Sequence, residues 1–481
     1  MFRALFRYAL PLFLAAGCCT SAPGPLGAVP DAAQVEWQKM EVNMFCHFGP
    51  NTFSGLEWGS GAESEDIFNP TSLDCRQWAR TAAAAGMNGI IITAKHHDGF
   101  CLWPNPESTH TVASCSWRDG KGDVLRELSD ACREYGLKFG VYISPWDRND
   151  PSYGSGEYNQ KYASTLRSVL DGRYGEVFEQ WFDGACGEGP SGRRQVYDWS
   201  LFHRTVRELQ PSAVMFSDVG PGCRWVGNER GEAGLTNWST LDTCGFSPGA
   251  GAPPCDTLQT GNKGAPAWIP AETDVSIRPG WFWRSSESPK SVEELLRIYY
   301  ESVGRGSVLL LNVPPDTSGR ISREDSLVLM QWRRRLDADF AVNLSKGARF
   351  EAPHMKGFPP SRLGDGNYES YWAAPEGVLT PCICMDFRSP RCFDRIVLQE
   401  YIPLGQRVEA FTVEALTAQG WEKISSGTTI GYKRILQTAP VVARKVRITI
   451  DAALGSPVLS EVGIYQAHLS SATGGLTSLR Y

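Results

Sequence analysis

A (β/α)8 TIM-like barrel followed by a C-terminal antiparallel β-sandwich is the architecture this sequence predicts, and three observations point to it. From Glu41 to about Leu336, short apolar runs alternate with helical patterns, roughly once every 40 residues, as successive β/α units would. The apolar runs are continuous rather than alternating, as expected of strands covered on both faces. After Leu336 the helical period disappears, and short alternating runs separated by turn residues replace it, the pattern of a sandwich. A chain of 481 residues has room for both units.

Strands are expected at residues 44–48, 89–93, 139–143, 177–182, 213–217 and 307–311. Helical patterns fill residues 72–85, 124–135, 158–170, 197–209 and 292–303. Ser72, and Ser291 with Glu294, fit N-cap chemistry, while Gly86 and Gly136 suit helix ends that need a left-handed residue. Two further strands are expected within the irregular stretch 236–283. A doubly wound sheet is disfavoured because no Gly-rich phosphate loop follows any strand. Sandwich strands are expected at 396–401, 410–416, 433–436, 445–450 and 460–465. The resulting division is a signal at 1–18, a linker at 19–34, a catalytic barrel at 35–338, a sandwich at 343–467 and a loose tail at 468–481.

Composition narrows the function. Hydrophobic residues at 42% and charged residues at 21% exclude wholesale disorder, and a formal charge of −6 argues against nucleic-acid binding. Arg3 and Arg7 precede an apolar run too short to span a bilayer, then small residues and Cys18. That is an export signal, either an ordinary one or a lipoprotein signal with Cys18 as the lipidated residue. The expected location is therefore periplasmic or outer-surface in a bacterium, and secreted otherwise, with any membrane contact made through the lipid. Beyond Cys18 and Cys19 the cysteines are too dispersed for a disulfide framework, and Cys382-Ile383-Cys384 is too tight for a structural zinc site. No metal or organic cofactor is signalled.

Catalytic groups of a parallel barrel sit just past the carboxyl ends of its strands. His47 ends the first expected strand, and Lys95-His96-His97-Asp98 follows the second. Tyr142 to Asp147 closes the third, Trp181-Phe182-Asp183-Gly184 the fourth, and Arg224 to Glu229 follows the fifth. Imidazoles can donate to or accept from vicinal hydroxyls, which suits sugar. His96 and His97 could also hold a metal, but neighbours on a strand point to opposite faces unless the backbone turns there. A carboxylate walled by Trp181 and Phe182 suits catalysis, although Asp183 could simply cap the next turn. Tryptophans 58, 103, 146, 225, 281 and 283 all fall in connections after strands. One or two would suffice as a sugar platform, the rest being core.

From Trp37 to Trp332 the chain resembles the family 29 glycoside hydrolases, the retaining α-L-fucosidases. The resemblance rests on six motifs in order: Phe45-Cys46-His47-Phe48-Gly49, Glu57-Trp58-Gly59, Lys95 to Trp103, Tyr142 to Asn149, Glu179 to Gly184, and Arg278 to Trp283. Tyr142 to Asn149 and Arg224 to Glu229 look more like the branch that cleaves α-1,3/1,4-linked fucose on branched glycans. The resemblance makes Asp183 the nucleophile and Glu229 the acid/base, with Glu232 as the alternative. It assigns fucose contacts to His47, Glu57, Trp58, His96, His97, Tyr142 and Arg224, with Trp283 closing the pocket; Trp146 and Trp181 join them as aromatic walls. The region from Asn343 resembles carbohydrate-binding-like, discoidin-like modules. Fucosylated oligosaccharides or glycoproteins are the expected partners. A sugar-binding protein on an inactive barrel, or a hydrolase acting on α-L-galactose, remain the alternatives.

Overall fold

The computed structural model describes residues 22–467. The expected export signal with Cys18, and the tail expected at 468–481, lie outside the described residues. Eight parallel strands close into a barrel. In order along the chain they are Val42–Cys46, Gly89–Lys95, Lys138–Ile143, Val177–Trp181, Val214–Ser217, Cys223–Trp225, Ala271–Ser276 and Val308–Asn312. The last pairs with the first, Val42 opposite Leu309.

Only one of the two strands expected between 236 and 283 lies there, namely Ala271–Ser276; the other, Cys223–Trp225, comes earlier. Both escape apolar-run reasoning for physical reasons. Cys223–Trp225 has three residues with an arginine at its centre, and Ala271–Ser276 is fully buried yet carries Glu272, Thr273 and Asp274. The barrel interior is acidic along this wall.

Two apolar layers hold the barrel. Inside, Phe45, Ile91, Tyr142, Phe178, Trp181, Phe216 and Leu310 pack together, with Trp37 from the helix Ala32–Met40 among them. Outside, Met44, Ile90, Ile92, Val141 and Leu309 pack against helix residues such as Trp78, Leu128 and Leu166. Strand residues divide between these layers in alternation, except in the fourth strand, where a register shift puts Phe178 and Trp181 in the same layer. Helix Val292–Glu301 starts with the expected capping box of Ser291 and Glu294. The helix expected from Ser72 instead starts at Cys75, because the Asp74 carboxylate accepts from Gln77 N at 2.9 Å and caps it there. Gly86, at φ 75°, lets that helix end with Met87 N bonding back to Ala82 O.

After the last barrel helix, Arg323–Asp339, the chain builds a seven-stranded antiparallel sheet. Its strands are longer than the runs that mark them. Residues expected at 433–436 and 445–450 belong to one strand, Arg434–Ala453, and Gly420–Gly427 is an edge strand too polar to stand out. Register shifts within Cys382–Glu400 bend the sheet around a core that includes Ile383, Phe393, Phe411, Val413 and Val462.

The two units are joined tightly. Val397 and Ile435 of the sandwich enter the outer core of the barrel. Asn237 N donates to Thr429 Oγ1 at 2.8 Å, Ser239 N donates to Gln406 Oε1 at 2.8 Å, and Gln406 Nε2 donates to Asn237 O at 2.9 Å. Arg434 donates to Leu235 O at 2.5 Å. Among the described residues, no helix is long and apolar enough to cross a membrane.

Candidate active site

The carboxyl ends of the first four strands deliver a compact set of rings and one carboxylate. Asp183 stands two residues past Trp181, the end of its strand. Its Oδ1 accepts from Ala185 N at 2.8 Å and its Oδ2 accepts from the Tyr142 hydroxyl at 3.0 Å. About a quarter of the side chain stays open to solvent, 27%. The turn-capping bond is therefore present, but the carboxylate is also gripped by a second group and remains accessible. Capping alone needs neither.

His97 approaches the same oxygen, with Nε2 3.5 Å from Asp183 Oδ2 and Nδ1 2.8 Å from Ser144 Oγ. The backbone turns after Lys95, so the His96 and His97 rings come within 4.2 Å. His96 lies parallel to Tyr142 at 5.6 Å, and its buried Nδ1 has no protein partner. A ligand hydroxyl is the natural complement for such an atom. His47 Nδ1 lies 3.0 Å from Asn312 Oδ1, and Asn312 Nδ2 donates to Ser276 Oγ and Trp281 O. That network places the proton on Nδ1 and leaves His47 Nε2 as an acceptor. Burial pushes His47 down to about 3, and burial also lowers His96 and His97. Burial thus favours the neutral ring at all three, able to share hydroxyl protons without adding charge.

Aromatic groups wall this space. Trp181 stacks on Phe216 at 3.9 Å and on Tyr142 at 5.3 Å. Trp146 packs against His97 at 4.8 Å, and its indole N–H donates to Glu188 O at 3.0 Å. Trp58, 57% exposed, stands edge-on to Trp146 and His97 at the mouth. Glu57 reaches the site indirectly: its carboxylate accepts from Trp281 N at 2.6 Å and pairs with Arg284, holding the segment that follows the seventh strand.

One expected sugar contact is corrected. Arg224 lies on the outer face of the sixth strand, fully buried. Its guanidinium donates to Leu258 O, Ile269 O, Asn237 Oδ1 and Trp238 O, four of its five N–H groups, all directed away from the pocket. The reason is strand alternation: Cys223 and Trp225 face the barrel interior, and the residue between them cannot. Arg224→Met should therefore lower the melting temperature, at a cost of about 2–4 kcal/mol for the stranded acceptors, while KM for fucosides in the folded fraction stays unchanged. A raised KM with unchanged melting would return Arg224 to the pocket. Trp283 packs against the Arg278 guanidinium, 5.8 Å away, and Arg278 is itself bound to Asp325; the Trp283 indole nitrogen is buried without a protein partner. Trp281 joins the site, its ring tilted against His47 at 4.9 Å.

The second carboxyl comes from the loop after the sixth strand. Glu229 remains solvent-accessible on the wall. Partial burial raises its carboxyl above the usual range, and the Asp183 and Glu57 charges push the same way against a hydrogen bond with Trp281. Glu232 is engaged elsewhere, its carboxylate accepting from Arg230 Nε at 2.7 Å. The alternative acid thus already carries a cation partner.

Two groups join the site that the motifs did not indicate. Trp225 N–H donates to Asp274 Oδ1 at 2.9 Å. Asp274 is buried, and that burial, with the Glu229 charge beside it, holds its carboxyl well above the usual range. Asp218, one residue past the fifth strand, is raised to about 6 by burial, with the Asp183 charge adding to it. Gly184 leaves room for it, since a Cβ there would meet Asp218 Oδ2 at 2.8 Å. The rule that reads strand ends could have found Asp218. Asp274 lies inside a strand hidden by its own polarity. Among the described residues, one set of potential metal ligands converges: Glu179, Cys223 and Glu272 in the barrel interior.

The family model described as alpha-L-fucosidase matches residues 27–334. The chain belongs to the alpha-L-fucosidase family. A NedA-like, galactose-binding domain model matches residues 362–448 of this family member. Alpha-L-fucosidase 1 of Arabidopsis thaliana is 41% identical over 468 residues, covering 95% of this chain and 91% of its own. Plasma alpha-L-fucosidase of Homo sapiens is 24% identical over 301 residues, covering 60% of this chain and 58% of its own. Among solved structures, SpGH29 superposes with a TM-score of 0.88 at 37% identity, covering 93% of this chain and all of its own. A Ruminococcus gnavus GH29 fucosidase in complex with fucose gives 0.85 at 32% identity, covering 94% of this chain and 97% of its own. As a member of this family, the protein is a glycoside hydrolase.

Proposed function

We propose that the protein is a retaining α-L-fucosidase that releases terminal fucose from α-1,3 and α-1,4 linkages of branched glycans by double displacement. The observation that carries this reading is Asp183, an accessible carboxylate aimed by Tyr142 and Ala185 among neutral histidines. Asp183 attacks the anomeric carbon as Glu229 gives its proton to the departing glycosidic oxygen, forming a glycosyl ester. Glu229, now charged, takes a proton from water; the water oxygen attacks the same carbon and frees Asp183 with configuration retained. His47, His96 and His97 bind hydroxyls, Trp181 and Trp281 contact the apolar side of the ring, and Trp58 and Trp146 meet the rest of the glycan.

The linkage preference is supported by the resemblance of the Tyr142 to Asn149 and Arg224 to Glu229 segments to the α-1,3/1,4 branch. The export signal expected at residues 1–18 supports an encounter with glycans outside the cytoplasm. Product analysis on α-1,2-, α-1,3-, α-1,4- and α-1,6-fucosylated oligosaccharides tests the preference. Fucose should be released from the α-1,3 and α-1,4 linkages and scarcely from linear α-1,2. A preference for α-1,2 would sink the linkage assignment, and no release from any of them would sink the activity.

A further inference from the structure

We infer that Glu179 and Glu272 form a proton-bridged carboxyl pair that seats Trp181 as the floor of the sugar pocket, making Glu272 a positioning residue for Asp183. Both side chains are completely buried inside the barrel. Trp37, from the helix that plugs the barrel, donates its indole N–H to Glu179 Oε2 at 2.7 Å. Trp181 donates to Glu272 Oε1 at 2.8 Å. One oxygen of each carboxyl is thus held from outside the pair. Of the others, Glu179 Oε1 has the Cys223 thiol at 3.8 Å, and Glu272 Oε2 has no partner. Ligating atoms of the three residues lie within 4.8 Å of one another.

The charge balance decides what occupies that space. Among the described residues no ion pair involves either carboxyl, and Arg224, beside Cys223 on the sixth strand, turns its donors to the outer face. Two bare carboxylates this close, without water or cation, would repel by several kcal/mol. One proton between them removes the repulsion and gives Glu272 Oε2 its missing bond. The pair then fixes Trp181, whose ring supports Tyr142 at 5.3 Å, and the Tyr142 hydroxyl aims Asp183 Oδ2. Trp181 also lies two residues before Asp183 on the same strand end. This role rests on Asp183 being the nucleophile of fucoside hydrolysis.

Burial holds both carboxyls above the usual range. The other titratable groups facing them are the Cys223 thiol and Asp274, on the same strand as Glu272. The native pair keeps a proton that the unfolded chain gives up near pH 4–5. Stability contributed by the pair is therefore full below that pH and is lost as pH rises through the folded value. Glu272→Gln supplies an amide N–H where the proton sits and should remove that loss.

The experiment compares wild type, Glu272→Gln and Glu272→Met by kinetics on an aryl fucoside, by melting from pH 5 to 8, and by metal analysis of the purified proteins. Glu272→Met should lower kcat by about 10- to 100-fold, the scale of a misplaced catalytic group, with KM changed less. Glu272→Gln should recover most of that turnover and melt with a flatter pH dependence than wild type. Variants that shift melting but leave kcat alone would overturn the positioning role. Stoichiometric zinc or manganese in wild type, lost in Glu272→Gln, would overturn the proton bridge in favour of a metal. Should Glu272→Met fail to fold, a Glu272→Gln melting profile parallel to that of wild type would overturn the pair. A wild type inactive on every fucoside would instead reject the proposed function, since the melting curves read the pair independently.

Discussion

Asp183→Asn should lower kcat/KM on fucosides by roughly a thousandfold or more while the protein stays folded. The side-chain amide keeps the volume and can still accept from Ala185 N, so the turn beyond the fourth strand survives. It cannot form the glycosyl ester. A purely structural Asp183 predicts the opposite pattern, with lowered melting and near-normal turnover. Asp183→Gly makes a second measurement available, because the vacated space adjoins an accessible pocket. Added azide or formate should restore part of the activity, and with azide the product should be a fucosyl azide of inverted anomeric configuration. A 2-fluoro-fucosyl reagent should label Asp183; labelling of any other residue overturns the assignment.

Glu229→Gln should show a large dependence on the leaving group. Turnover of a natural oligosaccharide should fall by about 100-fold or more, the scale of lost general acid catalysis. An aryl fucoside with an acidic phenol needs no proton and should keep far more of its rate. Glu229 must be protonated to act, and burial with the Asp183 and Glu57 charges raises its carboxyl. Wild-type kcat/KM should therefore decline as pH rises through that raised value, and Glu229→Gln should lose the basic limb. Glu232, tied to Arg230, should tolerate the same change with turnover little altered. If Glu232→Gln shows the leaving-group dependence and Glu229→Gln does not, the roles are exchanged.

What was legible in the sequence follows from how each feature is encoded. Continuous apolar runs mark strands whose faces are both apolar, and those six strands were readable to within a residue or two at most ends. The sixth and seventh barrel strands were obscured because Glu272 and Asp274 face an acidic interior and Cys223–Trp225 is short. His47, His96, His97 and Asp183 were legible because position past a strand end is visible in one dimension. The side on which a residue falls is not, which is why Arg224 was misassigned while Trp225 beside it faces inward. Trp281 illustrates the same limit, lying in a loop whose path no periodicity describes. The pair of Glu179 and Glu272 joins residues distant in sequence, and only closure of the barrel brings them together.

The clasp between the two units bears on how this protein can be taken apart. The sandwich grips Leu235, Asn237 and Ser239, a few residues downstream of Glu229 on the same connection. Its reach therefore ends close to the group that must release a proton at the right moment. A carbohydrate-binding module is usually thought of as cargo that can be clipped off or exchanged between enzymes without touching the engine. Here the sandwich behaves as part of the chassis: a foreign module grafted at residue 343 would bring its own sugar preference but no counterparts for Gln406, Thr429 and Arg434. Any reshuffling of this architecture has to carry those three residues along with the barrel.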